Sequence, residues 1–251
     1  LTFSDAVVTL QPNESKEITK VQPWAGYIPW SPKNPQLYYL NLSLKEKDNF
    51  VDVFTERFGF REVWIDGHNI MLNGSPVHLL GEWGHKDHFD FFRPEYVRQW
   101  FGMLKDLNMN YIRTHTFPHP QWMIDMADEM GILVCLESAW FFSEQAVDKD
   151  EYWENAKDHA HNIVSLYKNH PSIIFWSTGN EVRWGWNTNQ VIKHGPDIQK
   201  VYNDMDPTRV AYSDGSTSLW DERKQQILSR HYGLEVTGED FAMADGFVDR
   251  L

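Results

Sequence analysis

The amino-acid sequence predicts an α/β protein: a (β/α)8 TIM barrel that is incomplete at its C-terminus, preceded by part of a β-sandwich. Three observations lead to this fold class. Residues 1–60 contain strand-like runs without helical periodicity. From residue 61, apolar strand-like runs alternate with helical segments, and several of these runs end in polar residues. We therefore predict two domains, residues 1–60 and residues 61–251.

The first domain is predicted from two strand-like runs, QLYYLNLSLKE at residues 36–46 and NFVDVFTERFGF at residues 49–60. The proline-rich stretch PWSPKNP is typical of a connection between elements. Two runs are too few for a complete β-sandwich, so this domain is expected to be partial.

The barrel is predicted from six strand candidates: VHLLGEWG, YIRTH, ILVCLES, SIIFWSTGN, RVAYSDG and ILSRHYG. A first helix is expected from Pro94, because Tyr96, Val97, Trp100, Met103, Leu104 and Leu107 recur at helical spacing. A second helix is expected to end at Gly131, a third before Pro171, and a fourth to run through DIQKVYNDMD. The 191 residues after Phe60 suffice for six βα units, whereas a whole barrel takes about 250 residues. The last two strands are therefore expected beyond Leu251.

Composition excludes several classes of function. The net charge of −13 argues against a nucleic-acid surface. No run approaches the ~18 apolar residues of a membrane span, and no signal peptide is visible, although the compartment stays open because the chain starts inside an apparent domain. The single cysteine, Cys135, lies in an apolar run and is predicted to be a small core residue.

Polar residues follow the predicted strands at the end where a barrel carries its chemistry. They are Arg113 and His115, Glu137, Asn180 and Glu181, Asp214, and His231. Glu181 stands out because it follows the most apolar run, and a carboxylic acid in a water-poor pocket keeps the raised pKa that a proton donor needs. The alternative is that Glu181 is the first residue of a solvated loop.

Several stretches resemble the glycoside hydrolase family 2 enzymes, which include β-galactosidases, β-glucuronidases and β-mannosidases. HPSIIFWSTGNE resembles the acid/base strand of that family, and WSPKNPQLYYLNLSL resembles the end of its immunoglobulin-like domain. FGFREVWIDGHNIMLNGSPVHLLG resembles its passage into the barrel. HKDH, NYIRTHTFPHP, MADEMGILVCLES and ILSRHYG follow in the family's order. The resemblance covers almost the whole chain, and it implies that the partial β-sandwich is immunoglobulin-like.

The resemblance assigns roles to residues at the strand ends. It implies that Glu181 is the general acid/base and that Asn180 binds the 2-hydroxyl of the sugar. Arg113 matches the arginine that braces the catalytic carboxylates, although an ion pair of purely structural importance is the alternative. Glu137 matches a carboxylate that either binds a sugar hydroxyl or pairs with Arg113.

Two further pairs are implied to line the sugar pocket. His85 and Asp87 match the outer positions of the family's H-E-D motif, but Lys86 replaces the usual Glu and GEWG departs from the usual G-x-N-x. His231 and Tyr232 resemble the sixth-strand Y-Y-G of β-glucuronidases, where the aromatic pair faces the substrate.

No metal and no cofactor are predicted. Some β-galactosidases of the family hold Mg²⁺ with a Glu and a His after the third strand, and LESAWFFSEQ has no His there. His115 and His119 are therefore not expected to be metal ligands.

The implied function is that of a retaining exo-β-glycosidase, with a β-galactosidase as the best guess. The alternatives are a β-glucuronidase, a β-mannosidase, or a non-catalytic carbohydrate-binding subunit or fragment. A retaining enzyme needs a second carboxylate, which this family carries on the seventh strand, so the nucleophile is expected beyond Leu251; Glu235 and Glu239 are poorly placed substitutes. The predicted partners are a carbohydrate substrate and either a homo-oligomer or a complementary C-terminal segment, with no nucleic acid and no membrane.

Overall fold

The computed structural model of the protein describes residues 1–83, 93–140, 148–182, 188–215, 226–227 and 229. Two antiparallel strands, β1 (Tyr38–Glu46) and β2 (Asn49–Phe58), form a hairpin that confirms both strands predicted in the first 60 residues. Residues 1–60 are all described, and they contain no other strand apart from an isolated bridge between Ser31 and Asn34.

A small antiparallel sheet of three strands follows, which was not predicted from the sequence. Its strands are β3 (Val63–Asp66), β4 (Asn69–Leu72) and β5 (Ser75–Val77). The turn between β4 and β5 is Asn73-Gly74, and both residues have positive φ, 49° and 82°. Asn-Gly is the preferred pair for a two-residue hairpin turn of this kind, so the signal for this sheet was present in the sequence.

The main sheet is parallel and contains five strands in sequential order, β6 to β10. They are β6 (Gly81–Trp83), β7 (Tyr111–Arg113), β8 (Leu133–Glu137), β9 (Ile173–Asn180) and β10 (Val210–Asp214). Parallel strands that pair with their sequence neighbours are typical of a barrel wall, whereas a doubly wound sheet reverses its strand order.

The first barrel run, VHLLGEWG, is not one strand as predicted. Val77 ends β5 in the antiparallel sheet, whereas residues 81–83 pair with β7 in the parallel one. The sixth candidate strand, ILSRHYG, lies almost wholly outside the described residues.

In the part of the chain that the structure describes, four helices connect the strands: α1 (Pro94–Asp106), α2 (Gln121–Met130), α3 (Asp150–Tyr167) and α4 (Thr188–Met205). Pro94 occupies the first turn of α1, where a missing N–H costs nothing. Gly131 ends α2 with a left-handed φ of 72°, as predicted. The fourth helix begins earlier than predicted and contains Pro196. None of the helices within the described ranges is both long and apolar enough to cross a membrane.

The core has two layers, one on each face of the parallel sheet. Val134 and Leu136 of β8 pack on the outer face, against the helices. Leu133 and Cys135 alternate with them and pack on the inner face, against Trp30 and the β3–β5 sheet. Because strand side chains alternate, the next residue of β8 on the inner face is Glu137. The inward-facing residues of β8 are therefore apolar inside the barrel and polar at its carboxyl end.

Cys135 is a buried free thiol whose Sγ lies 3.3 Å from the Tyr212 hydroxyl. Burial raises its pKa to about 12, so the thiol stays protonated at neutral pH. The prediction of a core residue is confirmed.

Candidate active site

The carboxyl ends of strands β7 to β10 bring polar side chains together on the inner face of the sheet. Arg113 ends β7, Glu137 ends β8, Asn180 ends β9 and Asp214 ends β10. Each strand contributes its last residue because parallel strands end at one edge of the sheet. Arg113 contacts the other three side chains, so they form one connected group.

Arg113 is the centre of this group. Its Nη1 lies 3.0 Å from Glu137 Oε2 and also forms an ion pair with Asp214. Burial works against the charge of the guanidinium, but Glu137 and Asp214 outweigh it and raise the pKa of Arg113 above its ordinary value. Arg113 therefore stays charged and holds two strands beside its own.

Glu137 is fully buried, and both of its oxygens are occupied. Oε1 accepts a hydrogen bond from the Thr116 backbone N–H at 2.6 Å, and Oε2 accepts one from the Ser177 hydroxyl at 2.7 Å as well as the Arg113 contact. Burial raises the pKa of Glu137 to about 7, with Arg113 opposing that shift. These contacts favour the ion-pairing role predicted as one of the two alternatives for Glu137.

Thr116 supplies its N–H from a strained conformation. Its φ is 63°, an outlier for a β-branched residue. The loop after β7 keeps this geometry while the Thr116 N–H points at Glu137. Such strain is typical of functional sites, where the surrounding structure fixes it.

Asn180 has its amide orientation fixed by Arg113. Its Oδ1 accepts hydrogen bonds from Arg113 Nη1 and Nη2, at 3.2 and 3.1 Å. A guanidinium can only donate, so the oxygen must face Arg113 and the Nδ2 group must face elsewhere. Asn180 Nδ2 is buried and has no hydrogen-bond partner among the described residues. It is therefore a donor ready for an acceptor from outside this group.

Glu181 follows Asn180 directly and is 8% exposed. Its φ is 50°, in the left-handed region that a non-glycine residue rarely adopts. Its backbone N–H donates to the Asp214 carbonyl oxygen at 2.8 Å, which ties it to the end of β10. The alternative of a solvated loop residue is not what the structure contains, because Glu181 is buried and its backbone is anchored.

The structure thus brings four of the eight predicted site residues together: Glu181, Asn180, Arg113 and Glu137. The other four, His85, Asp87, His231 and Tyr232, lie outside the described residues. Their roles, and the catalytic roles of the first four, stay predictions.

Three residues of the group were not predicted as site residues: Asp214, Ser177 and Thr116. Asp214 was recognised as a polar strand end, but nothing in the sequence showed that it would pair with Arg113. Alternation could have placed Ser177 on the inner face, since it lies two residues after the inward-facing Phe175 in a buried strand.

Trp83 and His115 stand beside this group. Trp83 is paired in register with Arg113, and its ring lies 4.7 Å from that of His115 in an edge-to-face arrangement. The indole therefore occupies the place where the sequence departs from the family's usual G-x-N-x. It gives the site an aromatic border on the β6 side.

One group elsewhere in the described residues has donor atoms close enough for a metal ion: Asp125, Asp128 and His170, within 4.8 Å of one another. Arg57 of β2 already lies there, 2.5 Å from Asp125 Oδ1 and 3.5 Å from Asp128 Oδ2. His170 Nδ1 also lies 2.7 Å from Asp128 Oδ2. We therefore interpret the group as a set of ion pairs that connects the β1–β2 hairpin to α2.

Comparison with known protein families gives two matches. The family model described as "Glycosyl hydrolases family 2, TIM barrel domain" matches residues 62–243, and the one described as "Glycosyl hydrolases family 2" matches residues 4–61. The chain belongs to glycosyl hydrolases family 2. The predicted family and fold class, a TIM barrel preceded by an immunoglobulin-like domain, are confirmed.

Relatives within glycosyl hydrolases family 2 carry more than one substrate name. A putative β-glucuronidase of Formosa agariphila is 28% identical over 190 residues, and a β-galactosidase of Vibrio vulnificus is 30% identical over 200 residues. These matches cover 72% and 75% of this chain but only 23% and 18% of the relatives. The chain thus spans less than a quarter of the length of these curated relatives.

Solved structures of the family are similar in fold. The β-galacturonidase of Eisenbergiella tayi, crystallised with galacturonate, matches with a TM-score of 0.69 and 28% identity. That match covers 78% of this chain and 35% of the other. The described barrel strands therefore belong to an architecture that this family shares.

Proposed function

We propose that the protein is a retaining β-glycosidase that hydrolyses terminal β-linked sugars, with Glu181 as its general acid/base. The observation that supports this most is the pair Asn180–Glu181 at the carboxyl end of β9. Glu181 is buried and anchored there, and the neighbouring amide presents a donor without a partner among the described residues. Membership of glycosyl hydrolases family 2 adds the reaction class.

The proposed chemistry uses Glu181 twice. In the first step, Glu181 gives its proton to the glycosidic oxygen as the bond to the anomeric carbon breaks. A second carboxylate attacks that carbon and forms a covalent glycosyl-enzyme. In the second step, the Glu181 carboxylate takes a proton from water, and the resulting hydroxyl replaces the enzyme carboxylate on the sugar.

The second carboxylate is neither Glu137 nor Asp214 in this proposal. A nucleophile needs an oxygen free to attack, and both oxygens of Glu137 accept hydrogen bonds. Asp214 pairs with Arg113 through one oxygen and accepts a hydrogen bond from Ser229 through the other. We therefore expect the nucleophile outside the described residues, and we assign Arg113, Glu137 and Asp214 to bracing the site.

The sugar is the open part of the proposal. A β-galactoside is the sugar expected from the sequence, and the relatives include β-galactosidases and β-glucuronidases alike. A β-glucuronide is therefore the second candidate with equal support. A β-mannoside stays an alternative from the sequence resemblance alone.

The experiment is hydrolysis of a panel of 4-nitrophenyl β-glycosides, including the galactoside, glucuronide and mannoside, by a chain that carries the second carboxylate and by the Glu181→Gln variant of that chain. Turnover of one glycoside by the parent protein would support the function and name the sugar. Sugar binding that is equal in both proteins, without turnover of any glycoside, would contradict the proposal and favour a carbohydrate-binding protein instead.

A further inference from the structure

A cavity lies at the opposite end of the barrel wall from Glu181. It has a volume of about 330 Å³ and lies between the β1–β2 hairpin and the segment that precedes β9. Its apolar walls are Leu40, Phe58 and Pro171. Three cationic side chains also line it: Arg61, Lys168 and Arg209. Cations around a half-apolar cavity indicate a place for a negatively charged group with a short carbon skeleton.

Arg61 is a partly buried cation that has no ion pair among the described residues. Its Nε donates to the Pro171 carbonyl oxygen at 3.3 Å, and its Nη2 donates to the Ile173 carbonyl oxygen at 3.0 Å. Its Nη1 has no acceptor among the described residues, and no carboxylate of the described residues lies within 4.0 Å of this guanidinium. Carbonyl groups carry only partial charge, and Asp206 and Asp128 act on Arg61 without an ion pair to it, so this partly buried guanidinium is only partly compensated.

Arg209 does not help to compensate the positive charge of Arg61. It forms its own ion pair with Asp206 and donates to the carbonyl oxygens of Lys168 and His170. Burial, followed by repulsion from Arg209, lowers the pKa of Arg61 well below its ordinary value. An anion beside Arg61 would offset both effects.

The other charged side chains around the cavity indicate how much negative charge a bound ligand should carry. Among the described residues, Glu56 is the one carboxylate in the lining, and Asn169 Nδ2 donates to it at 2.8 Å. Asp206 pairs with Arg209, and Glu56 forms no ion pair with Arg61 or Lys168 within 4.0 Å, so the three cations outnumber these two carboxylates by one positive charge. A ligand with a single negative charge would neutralise this excess.

We propose that this cavity binds a small organic carboxylate, with the carboxylate between Arg61 and Lys168 and the carbon skeleton against Leu40, Phe58 and Pro171. The site is separate from the candidate active site, because Pro171 precedes β9 and Asn180 ends it. The proposal does not depend on the proposed glycosidase activity.

The test is calorimetric titration of the protein with sodium butyrate against sodium acetate, at constant ionic strength held with sodium chloride. We expect saturable binding with butyrate tighter than acetate, because the longer chain contacts the apolar walls. Arg61→Met should abolish saturable binding. Lys168→Met, at an exposed side chain, should weaken it about threefold, the size of an exposed charge contact.

Two control variants make the test specific. Arg98→Met removes an equal charge from the exposed face of α1 and should leave the affinity unchanged. Asn180→Asp alters the candidate active site and should also leave it unchanged, which separates this cavity from a sugar pocket. If Arg61→Met fails to fold, Lys168→Met carries the test.

Four results would overturn the proposal: no saturable binding to the parent protein, binding that survives Arg61→Met, equal weakening by Arg98→Met, or an unchanged affinity in Lys168→Met.

Discussion

Arg113 donates two hydrogen bonds to Asn180 Oδ1, and this contact decides which end of the Asn180 amide is available to a ligand. The oxygen is used within the protein, so the Nδ2 group is the end that can meet a sugar hydroxyl. Arg113 also holds Glu137 and Asp214. A single side chain therefore orients the donor next to Glu181 and joins the ends of three further strands.

Asn180→Asp tests the donor role of this amide. The substitution keeps an oxygen toward Arg113 and replaces the N–H donor by a second oxygen. We expect kcat/KM for the preferred glycoside to fall by about tenfold or more, the cost of one hydrogen bond lost in the transition state. Steady-state kinetics with the parent and variant proteins measures the change.

A 2-deoxy glycoside provides the control for Asn180→Asp. If the amide binds the 2-hydroxyl, the parent should lose rate on the 2-deoxy substrate, and the variant should lose little more on it. Any effect of the added charge acts on both substrates and cancels in the comparison. Fully additive losses would argue against a contact between Asn180 and that hydroxyl.

Arg113→Met tests whether this side chain holds the strand ends together. The substitution leaves Glu137 and Asp214 buried without their cation, so we expect the free energy of unfolding to fall by about 3 kcal/mol or more. Urea unfolding followed by tryptophan fluorescence measures it.

Lys200→Met is the matched control for Arg113→Met. Lys200 pairs with Asp204 at 2.5 Å on the exposed face of α4, and removing that pair should cost less than about 1 kcal/mol. Similar losses in the two variants would show that Arg113 is not a structural brace.

His119 predicts a pH dependence of stability. Burial lowers the pKa of this histidine from 6.5 to about 3. Between pH 6.5 and pH 3, His119 therefore binds a proton in the unfolded chain but not in the folded protein. The contribution of the neutral His119 ring to the free energy of unfolding is fully present above pH 6.5 and is lost as the pH falls toward 3.

His119→Phe should flatten this dependence, because the phenyl ring cannot titrate. We expect the fall in the free energy of unfolding between pH 6.5 and pH 4 to shrink by up to about 1.4 kcal/mol per pH unit, the value for one proton. Urea unfolding across that range measures it, with His161→Phe on the exposed face of α3 as the control. An unchanged slope in His119→Phe would contradict the assignment.

Most of the barrel could be predicted because strand and helix periods are local properties of the sequence. The apolar runs that became β8 and β9 and the terminator Gly131 are examples. Helix α1 was predicted with too wide an apolar face: Met103 and Leu107 are exposed, at 61% and 64%. They lie on the flank of the stripe formed by Val97, Phe101 and Leu104, and only the neighbouring elements decide where a stripe ends.

The start of α4 could not be predicted for a different reason. The helix was predicted through DIQKVYNDMD, which lies directly after Pro196, and a proline inside a helix is normally disruptive. The helix continues through Pro196 because Val191 and Ile198, two turns apart, are buried in the same core on either side of it. Packing thus outweighs the local preference.

The candidate site was predictable in some of its members and not in its contacts. Arg113, Glu137 and Asn180 were recognised as polar residues at the ends of predicted strands, and the family resemblance assigned them to the site. The pairing of Arg113 with Asp214, the Ser177 hydroxyl at Glu137 and the left-handed backbone of Glu181 depend on the register between strands and on loops. These are properties of tertiary structure, which periodicity does not contain.

The most direct test of the general-acid role of Glu181 compares two leaving groups in the Glu181→Gln variant. An alkyl β-glycoside needs a proton at its departing oxygen, whereas a dinitrophenyl β-glycoside does not. We predict that the variant loses about 10²- to 10⁴-fold in kcat/KM on the alkyl substrate and far less on the dinitrophenyl one. An equal loss on both substrates, in a variant that unfolds at the same urea concentration as the parent, would contradict the assignment of Glu181 as the acid.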